Sequence, residues 1–470
     1  MSRLVVVSNR VTQITAKKAA SAGGLAVGLH AALKDKGGIW FGWSGDIAES
    51  GAEKPRLQRS GNVTYALVDL GREEYEGYYE GFANRSLWPL FHYRVDLASF
   101  EHDWYDAYRA VNRRFARLLM PLLKPDDTVW VHDYHLIPLG RELRRLGFEG
   151  AVGFFLHIPF PASEIFVSLP WDHELGQDLF AYDLVGFQTP TDLRQFQDYV
   201  RHEWGGEIED DGTIRVQGRR FKAGAYPIGI DVDDFVAMGR TLEAQRGAER
   251  LRRALLNGNR KLIIGVDRLD YSKGILERLR AFGQLLDDFP EHEKGVTFIQ
   301  ISAPSRENVQ EYQDLRHQVE TLSGHINGIH SEADWVPLHY INRNHPRRTL
   351  AGFFHFSQIG LVTPLRDGMN LVAEEYVAAQ NPDDPGVLVL SRFAGAAPLL
   401  ADGALIVNPH DTRSTALALH QGLTMPQAER KERWRSMFAA IKANDIASWR
   451  MKFLSDLQKG QISTSEAVMT

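Results

Sequence analysis

The chain contains no cysteine. That excludes disulfides, thiolate metal sites and cysteine nucleophiles, and it suits a reducing compartment. Long apolar runs are missing as well. Ala151–Pro161, among the longest, is broken by Gly, His and Pro and falls far short of the roughly 20 apolar residues a membrane-spanning helix needs. The N-terminus runs from Leu4–Val7 straight into Ser8, Asn9 and Arg10, without the apolar core and cleavage site of a secretory signal. A cytoplasmic protein without a membrane partner is expected. Charge of one sign is also scarce: 54 Lys+Arg against 60 Asp+Glu gives −6. No global field draws nucleic acid, although a local basic pocket remains open. Low-complexity segments and short repeats are absent. What is present is globular: 470 residues, 44% hydrophobic and 24% charged, excluding a mainly disordered chain.

Short apolar runs alternate with amphipathic stretches. Leu4–Ser8, Thr128–Asp133, Val152–His157 and Leu184–Gln188 read as strands. Helical patterns cover Trp104–Leu123, His135–Leu146, Asp172–Tyr182 and Thr191–Trp204. Runs that are apolar at consecutive positions imply strands buried on both faces, hence a mostly parallel sheet and an α/β fold. Thr213–Ala225 reads as a hairpin, and the pattern restarts after about residue 230. Lys261–Val266, Val296–Ile301, Ile359–Pro364, Val387–Ser391 and Leu405–Asn408 are strands. Ile275–Leu286 and Asn308–Leu322 are helices, and Pro426–Gln458 is a long final helical stretch. The expectation is two doubly wound Rossmann-like domains, residues 1–230 and 231–445, facing across a cleft, with the last helix, 446–470, packed back on the first. Such sheets bind ligands beyond the carboxyl ends of their strands.

Five groups of residues fall there. Arg10 ends the first strand, and Gly23-Gly24 opens the following helix, where a backbone can approach a phosphate or sugar closely; the dinucleotide fingerprint G-x-G-x-x-G is absent. Arg268 and Lys273 lie between a strand and the helix starting at Ile275, a guanidinium and an ammonium suited to a diphosphate. Asp367-Gly368-Met369-Asn370-Leu371-Val372 opens another helix, whose first N–H groups are unpaired donors; Asp367 can accept from sugar hydroxyls and Glu375 from a ribose. Tyr79 and Trp88 belong to an aromatic cluster of the kind that lines sugar sites, and Asp133 and His157 end apolar strands nearby. Arg306 follows another strand. Read one at a time, each group also fits an ordinary turn, cap or surface ion pair. His132 and His135 have a metal-like spacing but no third ligand in the motif. Asp231-x-Asp233 reads as a helix cap or hinge turn. Together the groups point to a nucleotide-like anionic ligand and a second anion.

Those residues resemble the trehalose-6-phosphate synthase family, the retaining glycosyltransferases of family 20, with a GT-B fold. The likeness runs through Leu4–Arg10, Ser21–Gly28, Trp40–Gly45, Val131–His135, Phe154–Pro161, Tyr226–Ile230, Arg268–Gly274, Leu361–Ala379 and Gly386–Ala397. It implies transfer of glucose from a nucleotide-glucose, usually UDP-glucose, to glucose 6-phosphate, giving α,α-trehalose 6-phosphate. It implies acceptor contacts at Arg10, Tyr79, Asp133 and Arg306, and sugar-site shaping by Trp88 and His157. Gly23 and Gly24 would cover the donor, Arg268 and Lys273 clamp its diphosphate, and Asp367 to Val372 hold its glucose and phosphates. Glu375 would take the ribose. No metal or cofactor is needed if the clamp carries the diphosphate charge, and a homo-oligomer (dimer or tetramer) is expected.

Three positions depart from the family pattern. Glu374 stands where Lys is common and changes the charge expected beside the nucleotide. His345 replaces a common Phe, and Asp267 a common Glu. Nucleotide base preference stays open. So do two other readings, a relative using a cyclitol phosphate acceptor and a catalytically silent sugar-phosphate sensor; the retained clamp and acceptor residues weigh against both.

Overall fold

Strands whose residues are all apolar are covered on both faces. Val5, Val6 and Val7 are fully buried, as are Val129, Trp130 and Val131. The computed structural model describes residues 3–11, 28–30, 33, 37–255 and 260–466. It forms two compact units, Met1–Pro227 with Ala447–Thr470, and Ile228–Ile446.

The first unit carries β1 (Leu4–Arg10), β2 (Gly38–Ala48), β3 (Arg56–Ser60), β4 (Val63–Gly71), β5 (Thr128–His132) and β6 (Val152–Phe155). It continues with β7 (Leu184–Phe187), β8 (Glu207–Ile208), β9 (Thr213–Val216) and β10 (Arg219–Ala225). Their order in the sheet is β3-β4-β2-β1-β5-β6-β7-β10-β9-β8. The centre is parallel, with Val5 opposite both Ile39 and Val129. The expected hairpin is β9–β10, antiparallel with Arg219 opposite Val216.

The second unit holds β11 (Lys261–Arg268), β12 (Val296–Ala303), β13 (Leu338–Ile341), β14 (Ile359–Val362), β15 (Val387–Ser391) and β16 (Leu405–Val407). All pairings are parallel, in the order β13-β12-β11-β14-β15-β16. Counted from β11 this is the doubly wound order 3-2-1-4-5-6, whose switch point lies between β11 and β14. Ile263, Leu279, Phe282, Phe298, Val319 and Leu361 are fully buried in its core.

Two local expectations are corrected. The helix expected from His135 starts at Leu139, because Asp133 has φ 77° and Tyr134–Leu136 makes a 3-10 turn instead. The final helical stretch is two helices, Gln427–Ala443 and Ile446–Glu466. The break follows from Asn444, at φ −122° and ψ 41°. The chain at Gly229 passes so near that an added Cβ would lie 2.1 Å from Asn444 O, and Ile446 N–H donates to Ile230 O at 3.1 Å. Within the first unit, the last helix buries Trp449 and Phe453, their rings 4.8 and 4.9 Å from Trp130. Gly153 and Gly186 leave room for Phe453, since a Cβ on either would come within 2.9 Å of it. Tyr75–Leu87 is a π-helical segment closed by Trp88 N–H donating to Ala83 O, five residues back. Among the described residues, no helix is long and apolar enough to cross a membrane.

Candidate active site

In the second unit, β11 delivers Arg268 as its exposed last residue. Asp270 then organises the turn Tyr271–Lys273. Its Oδ1 accepts from Ser272 N at 3.0 Å and from Ser272 Oγ at 2.9 Å. Its Oδ2 accepts from Arg306 Nη1 at 3.1 Å and Tyr312 OH at 3.0 Å. Gly274 closes the turn at φ 61°, and a Cβ there would sit 2.1 Å from Thr363 O. Only glycine fits both the left-handed backbone and that approach. Lys273 Nζ is thereby carried to the Asp367 carboxylate, to which it donates.

Asp367 is itself fixed to the turn after β15, its N–H donating to Phe393 O at 3.2 Å. Gly368 is pressed against Gly395, whose added Cβ would overlap Gly368 O. Met369 O accepts from Ala396 N at 2.9 Å. These contacts hold the strand-to-helix loop on the carboxyl side of the sheet. Asn370, at φ 70° and with no side-chain cap bond, opens the helix Leu371–Ala379. The N–H groups of Leu371 and Val372 belong to its first turn, where such donors lack helical partners. The buried Asn370 Nδ2 has no partner among the described residues. The local arrangement suits an anion or a hydroxyl-rich ligand.

Glu375 accepts from Arg347 Nη2 at 3.2 Å, with both side chains nearly buried. Burial pushes the Glu375 carboxyl up from its ordinary range, and Arg347 opposes that shift. Glu374 corrects an expectation. It is fully buried, both its carboxyl oxygens lack side-chain or backbone bonds of ordinary geometry, and burial raises its pKa to about 8. One position along a helix turns a side chain by about 100°, so Glu374 faces the core while Glu375 faces Arg347. At neutral pH it adds no charge beside a nucleotide.

In the first unit, Arg10 ends β1 with its guanidinium 5.7 Å from the Trp43 ring centroid. Tyr79 stacks on His135 with centroids 5.8 Å apart and on Tyr75 at 5.5 Å. Trp88 is buried, its ring 4.1 Å from His92 and 5.8 Å from Tyr134. The unusual φ of Asp133 turns its carboxylate back, so that Oδ1 accepts from His157 N at 3.1 Å. His157 Nε2 lies 3.0 Å from His132 Nδ1. Burial drives the His157 pKa down to about 3 and pushes His132 well below its usual range. The pair is therefore neutral at physiological pH, one ring donating to the other, and His157 is no general acid there. Its partner His132 leaves no metal role for the His132/His135 spacing.

Gly23 and Gly24 lie outside the described residues. The other expected residues fall into two sets. Arg268, Lys273, Arg306, Asp367 to Val372 and Glu375 are in the second unit, and Arg10, Tyr79, Trp88, Asp133 and His157 in the first. Arg278 was not legible as part of this machinery. Fully buried, it donates to Asp267 Oδ2 at 2.7 Å, Gln300 Oε1 at 3.0 Å, Thr363 Oγ1 at 3.0 Å and Lys273 O at 3.3 Å. Asp267 thus reaches the clamp turn through Arg278. An arginine on the apolar face of Ile275–Asp288 was the available signal. Arg347 was missed too, with nothing in its spacing to mark it, and His132 was marked only by its spacing to His135, not as the partner of His157.

The profile of glycosyltransferase family 20 matches residues 2–459. The chain belongs to that family. A trehalose-6-phosphate synthase of Sinorhizobium fredii is 49% identical over 459 residues, covering 97% of this chain and 98% of its own. The solved alpha,alpha-trehalose-phosphate synthase (UDP-forming) of Burkholderia vietnamiensis is 48% identical, with TM-score 0.96 over 99% of this chain and 98% of its own. The Burkholderia xenovorans enzyme of the same designation, solved in complex with glucose-6-phosphate, is 49% identical, with TM-score 0.93 over 97% and 100%. The family 20 chain is accordingly an enzyme, a glycosyltransferase of the trehalose-6-phosphate synthase class, and its fold class is GT-B. The resemblance drawn from its sequence motifs is borne out.

Proposed function

We propose that this enzyme moves glucose from UDP-glucose to the anomeric hydroxyl of glucose 6-phosphate with retention, releasing UDP and α,α-trehalose 6-phosphate for trehalose biosynthesis. The observation that carries the reading is the Lys273–Asp367 pair beside Arg268, at the carboxyl end of β11 and at the opening of the helix Leu371–Ala379. Lys273 and Arg268 take the diphosphate, and Asp367, once its ammonium partner turns to phosphate, accepts from the donor glucose. Gly368, Met369, Asn370, Leu371 and Val372 supply backbone contacts, Glu375 accepts from the ribose, and Gly23 and Gly24 cover the donor. Arg10, Tyr79, Trp88, Asp133 and Arg306 serve the acceptor.

The chemistry follows from where charge develops. Breaking the donor C1–O bond leaves negative charge on the β-phosphate and positive charge on the sugar ring. Two fixed cations at that phosphate stabilise the transition state more than the ground state. The acceptor hydroxyl adds to C1 on the same face, and its proton passes to the departing phosphate oxygen. No protein base is needed. His157, neutral and held by His132 and Asp133, shapes the donor sugar site and the choice of anomer. The charge of the diphosphate is met by side chains, so no metal ion is required for the transfer.

A cytoplasmic homo-oligomer completes the reading, supported by the lack of cysteine and by Leu57, more than half exposed on the edge strand β3. The functional test is a panel of UDP-, GDP- and ADP-glucose against glucose 6-phosphate. UDP-glucose giving the highest kcat/KM supports the proposal. A preference for another nucleotide, or no sugar phosphate product from any of the three, overturns it.

A further inference from the structure

At the opposite end of the second sheet, three potential metal ligands converge. Glu291 and His292 lie in the 3-10 turn Pro290–His292, just before β12 starts at Val296. His420 comes from the helix Thr412–Thr424. His292 Nε2 is 3.0 Å from His420 Nδ1, and His420 Nδ1 is 3.6 Å from Glu291 Oε1. The three ligand atoms all lie within 4.8 Å of one another, the only such group of His, Cys, Asp and Glu among the described residues.

Stacking orients one of the imidazoles. His420 is stacked flat on Phe289, centroids 4.0 Å apart and planes at 13°, which sets the direction of Nδ1. Without a cation, one ring must donate its only N–H on that side to the other. A cation takes the place of that shared proton. Zinc bonds to imidazole nitrogen and carboxylate oxygen are about 2.0–2.2 Å. Ligand atoms around one tetrahedral ion then sit about 3.3–3.6 Å apart; the His420–Glu291 separation of 3.6 Å fits, and the two histidine nitrogens at 3.0 Å need to part by only a few tenths of an ångström. The Glu291 side chain, more than half exposed, closes the remaining distance. Lys261 Nζ is turned to Leu423 O.

We propose that Glu291, His292 and His420 form a zinc-class divalent metal site, with solvent completing the coordination, that staples the turn before β12 to the helix Thr412–Thr424. It is separate from the transfer reaction. β11 runs Lys261–Arg268 from this end of the sheet to the clamp, about 23 Å at roughly 3.3 Å per residue. The site is therefore structural, and it stabilises the native fold by binding only there.

The full-length protein, stripped with chelator, is titrated with zinc and separately with cobalt. The expected results are one equivalent of zinc retained through gel filtration, visible cobalt absorption bands, and a raised Tm. His420→Ala and His292→Ala should lose the retained equivalent, and Glu291→Gln should weaken binding at least tenfold. His325→Ala, an exposed histidine elsewhere, should change nothing. If either alanine variant fails to fold, Glu291→Gln and His420→Gln decide. Zinc that is not retained stoichiometrically, or retention unchanged in the folded variants of this cluster, overturns the proposal.

Discussion

The ammonium of Lys273 donates to the carboxylate of Asp367, two residues 94 positions apart that β11 and β14 bring to one end of the sheet. Asp367 neutralises Lys273, a role that a donor phosphate takes over in the proposed reaction. Lys273→Ala should therefore lower kcat by about 100-fold or more, the scale set by removing one preorganised charge stabiliser. The pair is nearly buried, its side chains 10% and 13% exposed, so leaving the Asp367 carboxylate without its partner should lower Tm as well. Steady-state rates and a melting curve check this; near-normal turnover contradicts the clamp assignment.

Arg10 leaves β1 exposed beside Trp43. Its expected role is the acceptor phosphate alone. Arg10→Ala should raise the KM for glucose 6-phosphate by about tenfold or more, the order of one lost charge-assisted contact, while UDP affinity by calorimetry stays unchanged. Equal losses for both ligands would remove Arg10 from the acceptor.

Glu374 carries a pH signature. Its folded pKa of about 8 lies above the ordinary glutamate value of 4.5. The folded state binds the proton more tightly, so the stability it contributes is fully present below pH 4.5 and is lost as pH rises through 8. Within that window stability should fall by about 1.4 kcal/mol per pH unit from this group. Glu374→Gln keeps the shape and removes the titration. Chemical denaturation of both proteins at several pH values should show a flatter profile for the variant and greater stability at pH 8; parallel profiles contradict a buried neutral carboxyl.

Gly274 combines a left-handed backbone with a carbonyl where a Cβ would go. Gly274→Ala should destabilise by about 1–2 kcal/mol from the backbone alone, with the clash at Thr363 O adding to it. Because the same turn aims Lys273, donor binding should weaken together with Tm. A variant as stable as the parent would mean that the turn tolerates another conformation.

Strand identity was legible wherever apolar residues ran consecutively, as in Val5–Val7 or Ile263–Ile264, because burial on both faces leaves no alternation to disguise. From strands and the doubly wound rule alone, Arg10, Asp133, His157 and Arg268 are placed at carboxyl ends. Their partners were not legible. Glu375 meets Arg347 across 28 residues and Lys273 meets Asp367 across 94, contacts that depend on how helices return to the sheet. The burial of Glu374 was hidden for a different reason. Its neighbour Glu375 faces a cation, and only the helix phase separates the two. The limit at 445 was expected, but the cause of the break at Asn444, the distant backbone of Gly229, was not legible.

The central claim is glucose transfer with retention from UDP-glucose onto glucose 6-phosphate. The most direct measurement is NMR of the product formed from UDP-glucose and carbon-13-labelled glucose 6-phosphate. The account predicts a labelled disaccharide phosphate with both anomeric carbons α and one UDP released per linkage formed. Unlabelled free glucose with UDP as the sole products, or a β linkage at the transferred residue, would contradict it.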